Sequence, residues 1–359
     1  MSITTPLTSL LGIRHPILLA GMGQASGPAL AAAVCNAGGL GVIGGVNYTP
    51  KMLRDIFNEL KSQLKDPSLP FGVDLLLPQV GGNARKTNYD HTKGTLDALL
   101  DVIIESGCKV FVSAVGVPPP HIIDRLHKNG IIYMNMAGHP KHAEKACKAG
   151  ADVIIAQGGE GGGHGADVPT SVLIPACADV CKKYNSTLTK QNVLLVAGGG
   201  IYDGRGLVAA LALGASAVWV GTRFVTAKES GASLDLKNAI LNANIDSTIK
   251  STIWSGRPLR SLKTDYVTRW ETQRLQEKEA LQAKGVLPVY HDMETLEEEG
   301  KWTDEMDDQS AVRPMGVVSG LINVPNQSAE EIIDEIILKA TEVLQASHRA
   351  LNQQRAARL

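Results

Sequence analysis

Val196-Ala-Gly-Gly-Gly-Ile-Tyr-Asp-Gly-Arg-Gly206, followed by Trp219-Val-Gly-Thr-Arg223, decides how this chain folds. In both segments a short apolar run ends in glycine, and the first continues into a helix-like stretch. Working outward, the same unit recurs. Apolar runs at 16–20, 39–44, 71–77, 109–115, 131–136, 152–156, 193–197 and 217–221 predict strands. Segments at 27–37, 50–64, 95–106, 140–149 and 204–213 predict helices between them. Continuous rather than alternating apolar runs are expected of parallel strands that helices cover. Eight such units of roughly 25–30 residues predict an α/β fold closed into a (β/α)8 TIM barrel. A doubly wound open sheet is the alternative.

After Phe224 the pattern changes. Residues 230–311 are charged and helix-like, with a long helix expected at 267–283, and no alternating strands are expected there. This predicts a barrel over 1–228, a helical lid or substrate region over 229–312 and a C-terminal segment over 313–359 that returns to the barrel. Ser328-Ala-Glu-Glu331 is a capping-box pattern opening a final helix. Its stripe of Ile332, Ile333, Ile336, Ile337, Ala340, Val343 and Leu344 should dock on the barrel.

A net charge of −1 gives no field to recruit nucleic acid or an anionic membrane. No uncharged apolar run is long enough to span a bilayer. The five cysteines lack a C-x-x-C pair, and the start of the chain lacks a basic region followed by an apolar one. Both features suggest an intracellular, cytoplasmic protein with reduced thiols. The last three residues, Ala357-Arg358-Leu359, are similar to a peroxisomal address.

Four glycine-rich segments are candidate binding elements. Gly198, Gly199 and Gly200, with Gly221 and Thr222, follow the seventh and eighth strands, where barrels commonly bind phosphate through backbone N–H groups. Ala156-Gln-Gly-Gly-Glu-Gly-Gly-Gly-His-Gly165 follows the sixth strand. Its glycines would lie against a flat ligand while His164, suited to proton exchange near neutral pH, provides the catalytic group. Ala20-Gly-Met-Gly-Gln24 ends the first strand with small residues, Met22 and Gln24. The fourth, Gly39-Leu-Gly-Val-Ile-Gly44, is a literal G-x-G-x-x-G but lies inside an apolar run, so it is not a dinucleotide turn. His139 and His142, with His121 and His127 nearby, have no organised partner ligands, and no metal is expected.

Taken together, His15-Pro-Ile, AGMGQ, AGGLGVIGG, GGEGGGHG, VAGGG-x-x-DGRG and VGTRF resemble the nitronate monooxygenase (2-nitropropane dioxygenase-like) family. The resemblance spans roughly residues 10–225 and resumes at Met315-Gly-Val-Val-Ser-Gly-Leu-Ile322. It implies FMN in the barrel mouth, with phosphate at Gly199, Gly200, Gly221 and Thr222. The ring would then lie against Gly21, Met22, Gln157, Gly162 and Gly163. Gly23, Gln24 and Gly198 are further cofactor-binding positions, and His164 matches the active-site histidine. The implied activity is oxidation of alkyl nitronates by O2 to a carbonyl compound and nitrite. An NAD(P)H:quinone reductase or a related FMN-dependent reductase is the alternative, and a flavin-binding protein without turnover is the third. A homodimer stays open. Two positions depart from the family pattern. Asp74 stands where many relatives carry Asn, so it must be protonated, repositioned or differently paired. Tyr133-Met-Asn-Met136 lacks the Lys that relatives often place at the end of the fifth strand. A nitronate anion then needs another positive partner, for which protonated His164, Arg257 and Arg260 are candidates.

Overall fold

In the computed structural model, which describes residues 2–356 and side chains through 351, the eight apolar runs form eight strands. They are β1 (Ile17–Leu19), β2 (Gly41–Gly44), β3 (Phe71–Leu76), β4 (Val110–Ala114), β5 (Ile132–Ala137), β6 (Val153–Gln157), β7 (Leu194–Gly198) and β8 (Ala217–Val220). All seven pairings between neighbours are parallel, and a parallel bridge between Leu18 and Leu40 brings β1 back to β2. The structure is thus the (β/α)8 barrel and not the open sheet.

Strand alternation divides the apolar residues into two layers. Leu18, Leu40, Val42, Val110, Val112, Ile132, Met134, Val153, Ile155, Val196, Ala217 and Trp219 fill the barrel interior. The alternate residues, among them Ile43, Val73, Phe111, Tyr133, Ile154 and Val218, pack against the surrounding helices. Leu7 and Leu11 of the N-terminal helix Pro6–Leu11 join the interior cluster, so this helix plugs the barrel's N-terminal end. The binding face is therefore left to the C-terminal strand ends.

The segment 230–311 differs from the all-helical expectation. It holds β9 (Thr248–Ser251) and β10 (Leu259–Leu262), which pair antiparallel, and β10 also pairs with the two-residue strand Gly163–His164. Four-residue strands amid charged helices are too short to register as a period. The expected helix at 267–283 is also broken, into Asp265–Thr272 and Leu275–Lys284. Arg274 lies at the break, 3.6 Å over the Trp270 ring and hydrogen-bonded to buried Asp292 at 2.7 and 2.9 Å. Tyr266 Oη and Trp270 Nε1 donate to the same carboxylate. A fully engaged buried carboxylate thus organises the lid's own core, whereas Glu297–Glu299 and Asp304, Asp307 and Asp308 are exposed.

The capping box at Ser328 and Glu331 forms in both directions and opens the helix Ala329–Ala356. Ile332, Ile333, Ile336, Ile337 and Ala340 are buried, but Val343 is only half-buried and Leu344 is exposed, so the predicted stripe docks through its first turns alone. Its partner is the helix Gly204–Ala212. A Cβ on Gly204 would lie 2.1 Å from Ala340 N, so only glycine allows this approach. Ala357-Arg358-Leu359 lies outside the described residues. Among the described residues, no helix is long and apolar enough to cross a membrane, and all five cysteines are free and buried.

Candidate active site

Alternation carries two polar side chains into the barrel mouth. Asp74, on β3, stands opposite Gly44 of β2 and Val112 of β4, and Gln157 ends β6 opposite Gly198 of β7. The loop after β1 lies directly on Asp74: a Cβ on Gly21 would sit 2.5 Å from Asp74 Oδ2. Asp74 is buried and its Oδ1 has no hydrogen-bond partner. Burial pushes this carboxyl up to about 8. Of the three states the sequence left open, Asp74 takes the protonated one, and at neutral pH it has a proton to donate, as an Asn amide would. Its carboxyl therefore adds no fixed negative charge to the mouth there.

The loop after β6 is tied from several sides. Gln157 Nε2 donates to the carbonyls of His164 at 3.0 Å and Gly162 at 3.4 Å. Arg260 Nε and Nη2 both donate to Gly159 O, at 3.2 and 3.0 Å. The Glu160 carboxylate accepts from Thr170 N and from Thr170 Oγ1 at 2.8 Å, so it caps the helix Thr170–Cys181 and holds the loop's base. His164 is half-buried, with Nε2 at 2.8 Å from Ser255 Oγ. Burial foremost, then the charges of Arg257 and His91, pull its imidazole down to about 4. It is therefore neutral at physiological pH. Ser255 Oγ in turn reaches Arg257 O at 3.4 Å, which favours Ser255 as acceptor from His164 Nε2–H and leaves Nδ1 as the basic nitrogen.

Opposite this loop, Gly199 and Gly200 take φ of +86° and +73°, and a Cβ on Gly199 would lie 2.8 Å from Gly158 O. Among the described residues, none of the N–H groups of Gly199, Gly200, Gly221 and Thr222 donates to a backbone carbonyl. These orphaned donors suit a phosphate. Gly221 sits beside the loop after β1, since a Cβ there would be 3.4 Å from Met22 Sδ. Thr222 Oγ1 accepts from Gly316 N at 3.0 Å, and Gly162 packs against Met315 and Gly316. The C-terminal segment thereby joins the loops after β6 and β8.

Not every quoted position reaches the mouth in the way the sequence suggested. Gly23 and Gln24 are exposed, and the missing Cβ of Gly198 faces the Trp219 side chain. In the DGRG part of the seventh-strand motif, Asp203 caps its own helix through Arg205 N and Gly206 N, and Gly204 serves helix packing. Of the three expected cations, neutral His164 is no positive partner and Arg260 fastens Gly159, which leaves Arg257. His127 forms a bottom-face network, 2.9 Å from Asp152 Oδ2 and 2.9 Å from Thr187 Oγ1. Sequence reading passed over Ser255, Thr170 and the packing of Met315-Gly316 on Gly162. Only the nearness of Ser255 to Arg257 in WSGRPLR hinted at the first.

The site's residues fall within a family match. The model of the family described as nitronate monooxygenase matches residues 4–322. A 5-hydroxy-7a-methyl-1-oxo-octahydro-1H-indene-4-carboxyl-CoA dehydrogenase of Mycobacterium tuberculosis is 34% identical over 76% of this chain and 70% of its own. A protein named "Probable nitronate monooxygenase" of Staphylococcus saprophyticus is 32% identical over 74% of this chain and 81% of its own. The solved structure of FabK from Thermotoga maritima superposes with a TM-score of 0.77 at 31% identity, covering 97% of this chain and 100% of that one. The chain belongs to the nitronate monooxygenase family and is an oxidoreductase.

Proposed function

We propose that the barrel mouth holds FMN and that the enzyme oxidises alkyl nitronates with O2 to a carbonyl compound and nitrite. The observation that carries this reading is the convergence, on one rim, of neutral His164 beside Arg257 with the orphaned N–H groups of the loops after β7 and β8. The donors at Gly199, Gly200, Gly221 and Thr222 would hold the phosphate. Gly21, Met22, Asp74, Gln157, Gly162 and Gly163 would surround the ring, with Asp74 donating its proton to a ring acceptor. FMN, when bound, supplies the electron chemistry.

The chain's own residues supply positioning and proton transfer. Arg257 attracts the nitro or nitronate oxygens. His164 Nδ1 takes the Cα proton when the neutral nitroalkane is the substrate, while Ser255 Oγ holds Nε2. Residues 229–312 act as the lid that keeps water from this mouth, the barrel over 1–228 forms its base, and the C-terminal segment that begins at 313 returns to the barrel. A second reading, a reductase fed by NAD(P)H or acting on an acyl thioester, is favoured by the 34% identity to a relative named as a carboxyl-CoA dehydrogenase.

The test is anaerobic flavin reduction by nitroalkane, nitronate, NADH and NADPH in the wild type and His164→Ala. The variant should keep its flavin and reduce it about 10²–10⁴-fold more slowly with nitroalkane, the usual worth of a general base. Unchanged single-turnover rates would make His164 structural. Rapid reduction by NAD(P)H with none by nitronate would replace the primary reading with the second.

A further inference from the structure

The carbonyls of the loop after β7 are held from one side. Gly158 N donates to Gly198 O at 2.9 Å. Thr170 Oγ1 donates to the next carbonyl, Gly199 O, at 3.0 Å. Both partners belong to the chain that follows β6, and β7 lies between β6 and β8 in the barrel. Successive carbonyls of an extended strand point to opposite sides. Two on the same side need a backbone turn, which the +86° φ of Gly199 supplies.

In a planar trans peptide the N–H points opposite to the C=O. With Gly198 O and Gly199 O both turned toward the β6 side, the N–H groups of Gly199 and Gly200 both turn away from it, to the side where β8 lies. The loop after β8 brings the N–H groups of Gly221 and Thr222, which likewise donate to no backbone carbonyl among the described residues. Successive N–H groups aimed the same way make a concave site for an anion.

One side chain holds the second of these carbonyls. Among the described residues, no backbone N–H donates to Gly199 O. Thr170 is the first residue of the helix Thr170–Cys181, and its N–H is fixed by both oxygens of Glu160, at 3.0 and 3.2 Å. Its hydroxyl has two acceptors, Glu160 Oε2 at 2.8 Å and Gly199 O at 3.0 Å. The carboxylate keeps the Thr170 N–H in either case, so the hydroxyl serves Gly199 without leaving Glu160 unpaired. Gly158 permits the approach, since a Cβ there would lie 2.0 Å from Thr170 Oγ1.

We infer that Thr170 is a positioning residue for the phosphate. Its hydroxyl fixes the Gly199–Gly200 peptide so that Gly200 N–H faces the phosphate, and Thr170 itself does not touch the cofactor. Without that bond, a turn of this one peptide puts the Gly199 oxygen where the N–H belongs, and a carbonyl oxygen repels a phosphate. The inference rests on the FMN reading above and adds to it a residue outside the glycine-rich segments.

The experiment is fluorescence titration of the flavin-stripped full chain with FMN and with riboflavin, which differ only in the phosphate. Thr170→Val keeps the branched shape and the N–H to Glu160 but loses the hydroxyl. It should bind FMN about tenfold more weakly, the worth of one charge-assisted hydrogen bond, with riboflavin affinity unchanged. Thr170→Ser should restore the wild-type preference for FMN. Thr170→Ala, read in the same way, decides the matter if a methyl in place of Oγ1 clashes with Gly158. Full preference for FMN in the variants without the hydroxyl, or equal loss of FMN and riboflavin, overturns the role of Thr170 and leaves the phosphate site standing. A wild type that holds riboflavin as tightly as FMN removes the phosphate site itself.

Discussion

Replacing Asp74 with Asn should change how stability depends on pH, and by an amount the structure fixes. The folded carboxyl titrates near 8 instead of 3.8 because burial leaves Oδ1 without a partner. Between those values the folded state holds a proton that the unfolded chain has released. Stability therefore falls as pH rises from about 4 to about 8, at about 1.4 kcal/mol per pH unit for one proton. Asn cannot ionise and lacks this slope. From pH 5 to pH 7 the wild type should lose about 2.5 kcal/mol relative to Asp74→Asn. For 359 residues the unfolding entropy is on the order of 0.75 kcal/mol per degree, so the difference in Tm should widen by about 3 °C. Calorimetry of flavin-stripped wild type and variant at matched ionic strength reads it directly. A Tm difference that stays constant from pH 5 to pH 7 would refute the protonated Asp74. That outcome is the one expected of an ionised, paired carboxylate, which stays charged in both the folded and the unfolded state over this range.

Other substitutions probe the remaining parts of the site. Gly200→Asp should lower flavin retention by tenfold or more while Gly200→Asn keeps it, because both tolerate the +73° φ but only Asp repels phosphate; equal flavin content after dialysis would remove the phosphate assignment. The acid limb of nitroalkane oxidation should lie near pH 4, where His164 gains its proton, and Arg257→Gln should move it upward by removing a nearby positive charge; an unmoved limb in rapid-reaction kinetics would separate the two groups. Gly204→Ala should destabilise by about 1–3 kcal/mol through overpacking against Ala340, read in urea melts, and a neutral result would mean that the C-terminal helix shifts freely.

The sequence by itself determined the barrel, because eight apolar runs separated by helix-length segments are local patterns repeated along the chain. It likewise marked the loops after β1, β6, β7 and β8, where glycine is conspicuous, and the capping box at Ser328. What it could not settle depends on contacts between distant residues. Whether Asp74 is charged follows from burial beneath Gly21, 53 positions away. The basicity of His164 follows from burial first, and then from the charges of Arg257 and His91, which lie far from it in the chain. Glu160 became a helix cap only when Thr170 lay beside it, and Gly204 became a packing residue only when the last helix crossed it. The lid's short strands exist because β10 has the edge of Gly163–His164 to pair with. Periodicity is written in neighbouring residues, whereas protonation, desolvation and edge pairing arise only once the folded chain brings separated groups together.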